Sequence, residues 1–136
     1  MEVTVLGDEY EVDAAYLDAS EASVREQVGE YERGERRTFD VEVEFPSGLR
    51  GAVMRRMVAI PYGETRTYGD LAEELGSAGQ AVGQACGANP VPIVVPCHRV
   101  VGADSLGGFS SKGGVAAKRT LLAFERGTSQ KTLGEY

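Results

Sequence analysis

The sequence predicts an α+β protein: a small N-terminal β-β-α-β unit over residues 1–46, then a mostly helical part over 47–128 containing a helix-turn-helix, with a flexible tail over 129–136. Three observations predict it. Apolar and polar residues alternate near the N-terminus and again over 39–45. After residue 47, helix-period patterns flanked by capping residues dominate. Between the two regimes, Pro46-Ser47-Gly48 interrupts every periodicity.

Each element follows from local chemistry. Val3, Val5, Tyr10 and Val12 around the Gly7-Asp8 turn make a hairpin. Ser20 caps a helix whose apolar positions Val24, Val28 and Tyr31 fall at spacings of four and three. Phe39, Val41, Val43 and Phe45 alternate with Asp40, Glu42 and Glu44, which predicts a strand with one wet face. Beyond the break, Val53, Met54, Met57 and Val58 mark a helix ending before Pro61. Thr67-Tyr68-Gly69-Asp70 is a capping-box pattern opening a short helix through Leu71, Ala72 and Leu75, stopped at Gly76. Ser77 and Gln80 repeat the capping signature before a second short helix, Gln80 to Cys86, built almost entirely of small residues. Two short helices across a glycine turn make a helix-turn-helix candidate with a slim second helix. Asn89-Pro90-Val91-Pro92 is extended, because a residue before proline is pushed out of the helical region. Ile93-Val94-Val95 is a short buried run leading into Pro96-Cys97. A Gly/Ser-rich loop spans 102–114. The final helix has Ala116, Ala117, Leu121, Leu122 and Phe124 on its apolar side and Lys118, Arg119 and Arg126 as solvated charges.

Composition narrows the function classes. The chain has 136 residues and a net charge of −7, from 21 acidic and 14 basic side chains. Such a balance opposes nucleic-acid binding if charge is evenly spread. It is not: 14 of the acids lie in residues 1–45, whereas residues 46–136 carry seven acids and ten bases. The acidic coat also suits a protein kept soluble in high salt. No apolar run is long enough to span a bilayer, no basic-then-apolar leader opens the chain, and a cytoplasmic location without membrane contact is expected. Two cysteines and one histidine cannot supply a standard four-ligand zinc site, so neither metal nor cofactor is expected. A Cys86–Cys97 disulfide stays open, although nothing suggests an oxidising compartment.

Cys97 stands before His98, the sole histidine. A cysteine nucleophile has to be thiolate, which a free cysteine at neutral pH mostly is not. On an extended strand, neighbouring side chains point to opposite faces, so adjacency does not prove contact. Residue types alone therefore read Cys97 and Cys86 as packing residues and His98 as a core histidine.

The blocks around Cys97 change that reading. Ile60-Pro61-Tyr62-Gly63, Thr67-Tyr68-Gly69-Asp70-Leu71-Ala72, Ala81-Val82-Gly83, Asn89-Pro90-Val91-Pro92 and Pro96-Cys97-His98-Arg99-Val100 occur in this order within residues 60–125, about half of the chain. This stretch resembles the C-terminal domain of the O6-alkylguanine-DNA alkyltransferases, the methylated-DNA–protein-cysteine methyltransferases. The resemblance implies a helical alkyltransferase domain that binds double-stranded DNA in the minor groove. It implies rotation of O6-alkylguanine, with O4-alkylthymine as a second lesion, out of the stack and transfer of the alkyl group to a cysteine, once per molecule. Residue by residue, it makes Cys97 the acceptor, His98 its base through a water, and Glu125 the carboxylate orienting that histidine. Tyr68 would help rotate the nucleotide and protonate the departing guanine. Asn89 is the hinge between recognition helix and acceptor. Gln80, Ala81 and Gly83 lie on the recognition helix; Val100, Phe109 and Ser110 border the base, Ser110 through its hydroxyl. Arg99 is grouped with them, with structural support as its main part. A monomer is expected.

Three positions depart from the family pattern. Gln80 stands where the family has an intercalating arginine, for which Arg66 is a candidate substitute. Phe109 stands where a tyrosine hydroxyl contacts the lesion, a loss on the order of 0.5–1.5 kcal/mol. Ser111-Lys112 looks inserted, which bears on the match at Ser110. The N-terminal unit is shorter than the family's and lacks residues for a structural zinc. Two rivals differ in mechanism: an alkyltransferase-like module that binds damaged DNA without transfer, and a thiol hydrolase that turns over without DNA.

Overall fold

The computed structural model describes residues 1–134, with side chains described through residue 128. The described residues form an α+β fold of six short strands and five α-helices. Strands β1 (Glu2–Val5) and β2 (Asp8–Glu11) form an antiparallel hairpin that turns inward Val3, Val5 and Tyr10, all buried. The Leu6 N–H, at the turn, donates to Glu32 Oε2 at 2.7 Å and ties the hairpin to helix α1 (Glu21–Glu32). Ser20 Oγ accepts from Ser23 N at 3.1 Å, the expected N-cap, and Val24, Val28 and Tyr31 are buried as their spacing requires. Gln27 is buried with them because its amide clasps the Asp40 backbone, donating to Asp40 O at 3.2 Å and accepting from Asp40 N at 2.8 Å.

The N-terminal unit departs from the expected β-β-α-β order. A short strand β3 (Leu17–Asp18), which no sequence pattern signalled, pairs antiparallel with β4 (Glu42–Val43), and this pair is separate from the β1–β2 sheet. The strand expected over 39–45 is only two residues long, since its partner is no longer. Its alternation survives: Phe39, Val41, Val43 and Phe45 pack against the core while Asp40, Glu42 and Glu44 face water.

Helix α2 (Gly48–Val58) buries Val53, Met54 and Met57, but Val58, expected on the apolar side, is 48% exposed. Strand β5 (Arg66–Thr67) runs parallel to β6 (Val100–Val101) and delivers the chain into α3 (Tyr68–Leu75). The capping box is complete: Thr67 Oγ1 accepts from Asp70 N and Asp70 Oδ2 from Thr67 N, both at 3.0 Å. Gly76, at φ 61, ends α3. Helix α4 (Gly79–Gly87) packs against α3 and α2. The second capping signature is not used: Ala78, not Ser77, occupies the N-cap, and no side chain bonds there.

After α4, Pro92 and Val95 bridge across a tight turn with Ile93 at φ 74, a region that β-branched residues avoid at a cost of about 1–3 kcal/mol. The chain then enters a 3-10 turn, Cys97–Arg99, in place of an extended strand. Helix α5 (Gly114–Gly134) closes the fold, and its backbone is helical where a tail over 129–136 was expected. The side chains of 129–134 and residues 135–136 lie outside the described residues. Lys118 on α5 corrects the reading of a solvated charge, for it is wholly buried. Among the described residues, no helix is long and apolar enough to cross a membrane, and no group of three or more His, Cys, Asp and Glu side chains could hold a metal ion.

Candidate active site

The 3-10 turn brings Cys97, His98 and Arg99 into the protein interior on different sides of one tight loop, which an extended strand could not do. Cys97, 8% exposed, forms the floor of a cavity of about 630 Å³ whose walls include Tyr68, Gln80, Gly83, Cys86 and Phe109. A second cavity of about 520 Å³, on the side of the N-terminal hairpin, also reaches Cys97 and includes Glu9, Asp13, Pro92 and Lys112. The thiol therefore sits where two cavities meet, with Phe109 and Ser110 lining both. Burial pushes the Cys97 thiol above its ordinary pKa; the Asn89 side chain and the Lys118 charge pull the other way. Asn89 is itself pinned, donating from Nδ2 to Val95 O at 2.8 Å and accepting at Oδ1 from Val91 N at 3.2 Å. It thereby couples the end of α4 to the segment carrying Cys97.

Behind the thiol lies a fully buried ionic cluster. His98 Nε2 and Glu125 Oε2 are 2.6 Å apart. Glu125 also accepts from Arg99 Nε at 2.8 Å and Nη2 at 3.0 Å, from the Tyr31 hydroxyl at 2.7 Å and from Gly63 N at 3.3 Å. Arg99 Nη1 donates to Ile60 O at 2.9 Å. Burial alone would raise the Glu125 pKa, but His98 and Arg99 outweigh it and hold the carboxyl well below the usual carboxylate range. For His98, burial lowers the pKa more than Glu125 raises it, with Arg99 adding to the lowering. The consistent charge state is an anionic Glu125 neutralised by Arg99⁺ and a neutral His98 donating from Nε2. That tautomer leaves Nδ1 as an acceptor, and Nδ1 has no hydrogen-bond partner among the described residues.

A second buried cluster is centred on Lys118. Its Nζ donates to Val100 O at 2.6 Å, Gly108 O at 3.1 Å and the Tyr68 hydroxyl at 3.2 Å. Burial lowers the Lys118 pKa, against the opposing charges of Cys97 and Cys86. Burial raises that of Tyr68, with Cys86 and Cys97 adding to it. The Tyr68 ring needs Gly107, at φ 73, where a Cβ would fall 2.6 Å from its Cε2.

The structure thus brings together Cys97, His98, Glu125, Tyr68, Asn89, Gln80, Gly83, Phe109 and Ser110 around one thiol and its support. Three expected residues lie elsewhere. Ala81 faces a shallow depression with Arg50 and Ala85. Arg99 belongs to the support of Glu125, and its guanidinium is fully engaged there rather than on the cavity beside α4. Val100 is buried and contributes its carbonyl to Lys118. The Ser110 hydroxyl donates to Gly87 O at 2.8 Å, so it ties the loop to the end of α4. Arg66, the candidate substitute for an intercalating arginine, is held by Glu74 and Asp70. Tyr31 and Lys118 were missed. A signal for Lys118 existed: residues 118, 121, 122 and 125 follow the i, i+3, i+4, i+7 rule and form one buried face.

The fold and site together define an α+β protein with a buried thiol, backed by a histidine–glutamate–arginine cluster, beside two short helices joined by a glycine turn. Comparison with known proteins agrees. The model of the 6-O-methylguanine DNA methyltransferase DNA-binding domain matches residues 49–127. The methylated-DNA–protein-cysteine methyltransferase of Mycolicibacterium paratuberculosis is 48% identical over 116 residues, covering 82% of this chain and 69% of the relative. That of Mycobacterium bovis is 45% identical, covering 74% of this chain, which spans only 62% of the relative's length. The crystal structure of Mycobacterium tuberculosis OGT in complex with DNA superposes with a TM-score of 0.73 at 41% identity, covering 79% of this chain and 68% of that one. The chain belongs to the 6-O-methylguanine DNA methyltransferase family.

Proposed function

We propose that this protein repairs DNA by taking the alkyl group of O6-alkylguanine in a duplex onto Cys97, once per molecule. The observation that carries the reading is the position of Cys97, at the floor of a cavity walled by α4 and backed by the buried His98–Glu125–Arg99 cluster. Neutral His98 offers Nδ1 as the acceptor for the thiol proton, through a bridging water. The sulfur attacks the alkyl carbon, a C–S bond forms, and the C–O bond breaks with its electrons passing to the guanine. While it is protonated Lys118 can only donate, so the Tyr68 oxygen accepts from it and the phenolic hydrogen is free to protonate the departing base. The thioether product has no route back to a thiol, which makes the reaction stoichiometric. A damaged pair is easier to open than a sound one, which favours extrusion of the lesion into the cavity. The DNA-bound structure of the Mycobacterium tuberculosis relative supports DNA as the partner.

The test is stoichiometry. With excess duplex containing labelled O6-methylguanine, methyl transfer should plateau at one per chain, and Cys97→Ser should transfer none. Continued turnover would indicate a hydrolase, and tight binding without transfer a damage-recognition module.

A further inference from the structure

The outward face of α4 carries no charge. Gly79, Gln80, Gln84, Gly87 and Ala88 are exposed, and Ala81 is half-exposed. Nearby cations are already engaged: Arg56 Nη1 lies 2.8 Å from Glu74 Oε1, and Arg66 is bound to Glu74 and Asp70. Arg50 on α2 is the exception. It is exposed, its Nη2 donates to Ala88 O at 3.2 Å at the end of α4, and it borders a depression with Ala81 and Gln84. Among the described residues no carboxylate pairs with it.

We propose that the α4 face grips duplex DNA through uncharged close contact, with Arg50 as its single cationic anchor on phosphate, so that affinity depends only weakly on salt. This rests on the reading that duplex DNA docks on α4. Each neutralised phosphate contributes a slope of about −0.9 to log K against log salt. One anchor therefore predicts a loss of roughly three- to fourfold between about 50 and about 200 mM salt, where six to ten contacts would lose about 10³- to 10⁵-fold. The net charge of −7 works in the same direction, because added salt screens its repulsion from the duplex.

The full chain carrying Cys97→Ser, titrated against an O6-methylguanine duplex by fluorescence anisotropy at both salt levels, tests this. A loss under about tenfold supports the proposal, and a larger one overturns it. Adding Arg50→Gln should reduce the loss to under about twofold, whereas Arg50→Lys should restore it. An unchanged salt dependence in Arg50→Gln, with melting temperature preserved, contradicts the anchor. Steep salt dependence in a protein that transfers methyl groups overturns this inference alone. Absence of both binding and transfer counts against the functional reading and this inference together.

Discussion

Lys118 and Glu125 lie about two turns apart on the same buried face of α5, yet their surroundings are opposite. Glu125 is matched by charge: Arg99 neutralises it, and His98 and Tyr31 complete its hydrogen bonds. Lys118 has no carboxylate beside it among the described residues; it is matched by two backbone carbonyls, the Tyr68 hydroxyl and the rings of Tyr68 and Phe109. A buried charge with an opposite charge beside it stays ionised and holds its neighbours still. A buried cation without a carboxylate partner is easier to neutralise, and burial lowers the Lys118 pKa accordingly. The first cluster orients the histidine. The second touches Tyr68, which lines the cavity beside α4 with both cysteines. In the proposed mechanism, support and chemistry thus fall to two positions of one helix.

The comparison breaks most visibly at Glu125. Glu125→Ala leaves Arg99 buried without its counter-charge and should destabilise the fold by about 3–5 kcal/mol, read by denaturant unfolding. Next comes Tyr31→Phe, which removes one hydrogen bond to a buried carboxylate and should cost about 1.5–3 kcal/mol by the same measurement. Lys118→Met should change stability by less than about 2 kcal/mol, because the buried charge leaves along with its donors. It should nevertheless slow single-turnover methyl transfer by about tenfold or more, since Tyr68 loses its fixed donor.

Acid and alkali separate the clusters further. Below pH 6.5 the unfolded chain protonates its histidine while folded His98 resists, so stability falls as pH drops through that value. Below 4.5 the unfolded glutamate also takes up a proton that folded Glu125 refuses, which adds a second loss. For Lys118 the unfolded side chain holds its proton up to about 10.5 and the folded one gives it up earlier, so stability gains as pH rises in that interval. Melting temperatures across pH should therefore show an acid arm in both proteins, and the difference between wild type and Lys118→Met should move in favour of the wild type as pH rises toward 10.5, while the raised thiols of Cys86 and Cys97 pull both down alike.

Much of this was legible in the sequence where a short-range rule applied. The Ser20 cap, the Thr67–Asp70 capping box and the alternation over 39–45 depend on neighbours within a few residues, and all are present. The convergence of Cys97, His98 and Glu125 was legible only through motif resemblance, because it requires a 3-10 turn and a helix from the chain's far end. The burial of Lys118 was legible from the helical face it shares with Leu121, Leu122 and Glu125, but its partners were not, since backbone carbonyls leave no trace in residue types. Tyr31 resembled any apolar helix position until the fold placed its hydroxyl on Glu125, 94 residues away. Strand β3 escaped because two residues are too few to establish a period.

Both cysteines line the cavity beside α4, and burial raises the Cys86 thiol to about 12. Only Cys97 has Asn89 favouring its thiolate and the histidine cluster adjoining it. Peptide mass spectrometry after reaction with an O6-methylguanine duplex tests the assignment most directly. One methyl group on the peptide bearing Cys97, with Cys86 unmodified, is the predicted result. A methyl group on Cys86, or on neither cysteine while the lesion is lost from the DNA, would contradict it.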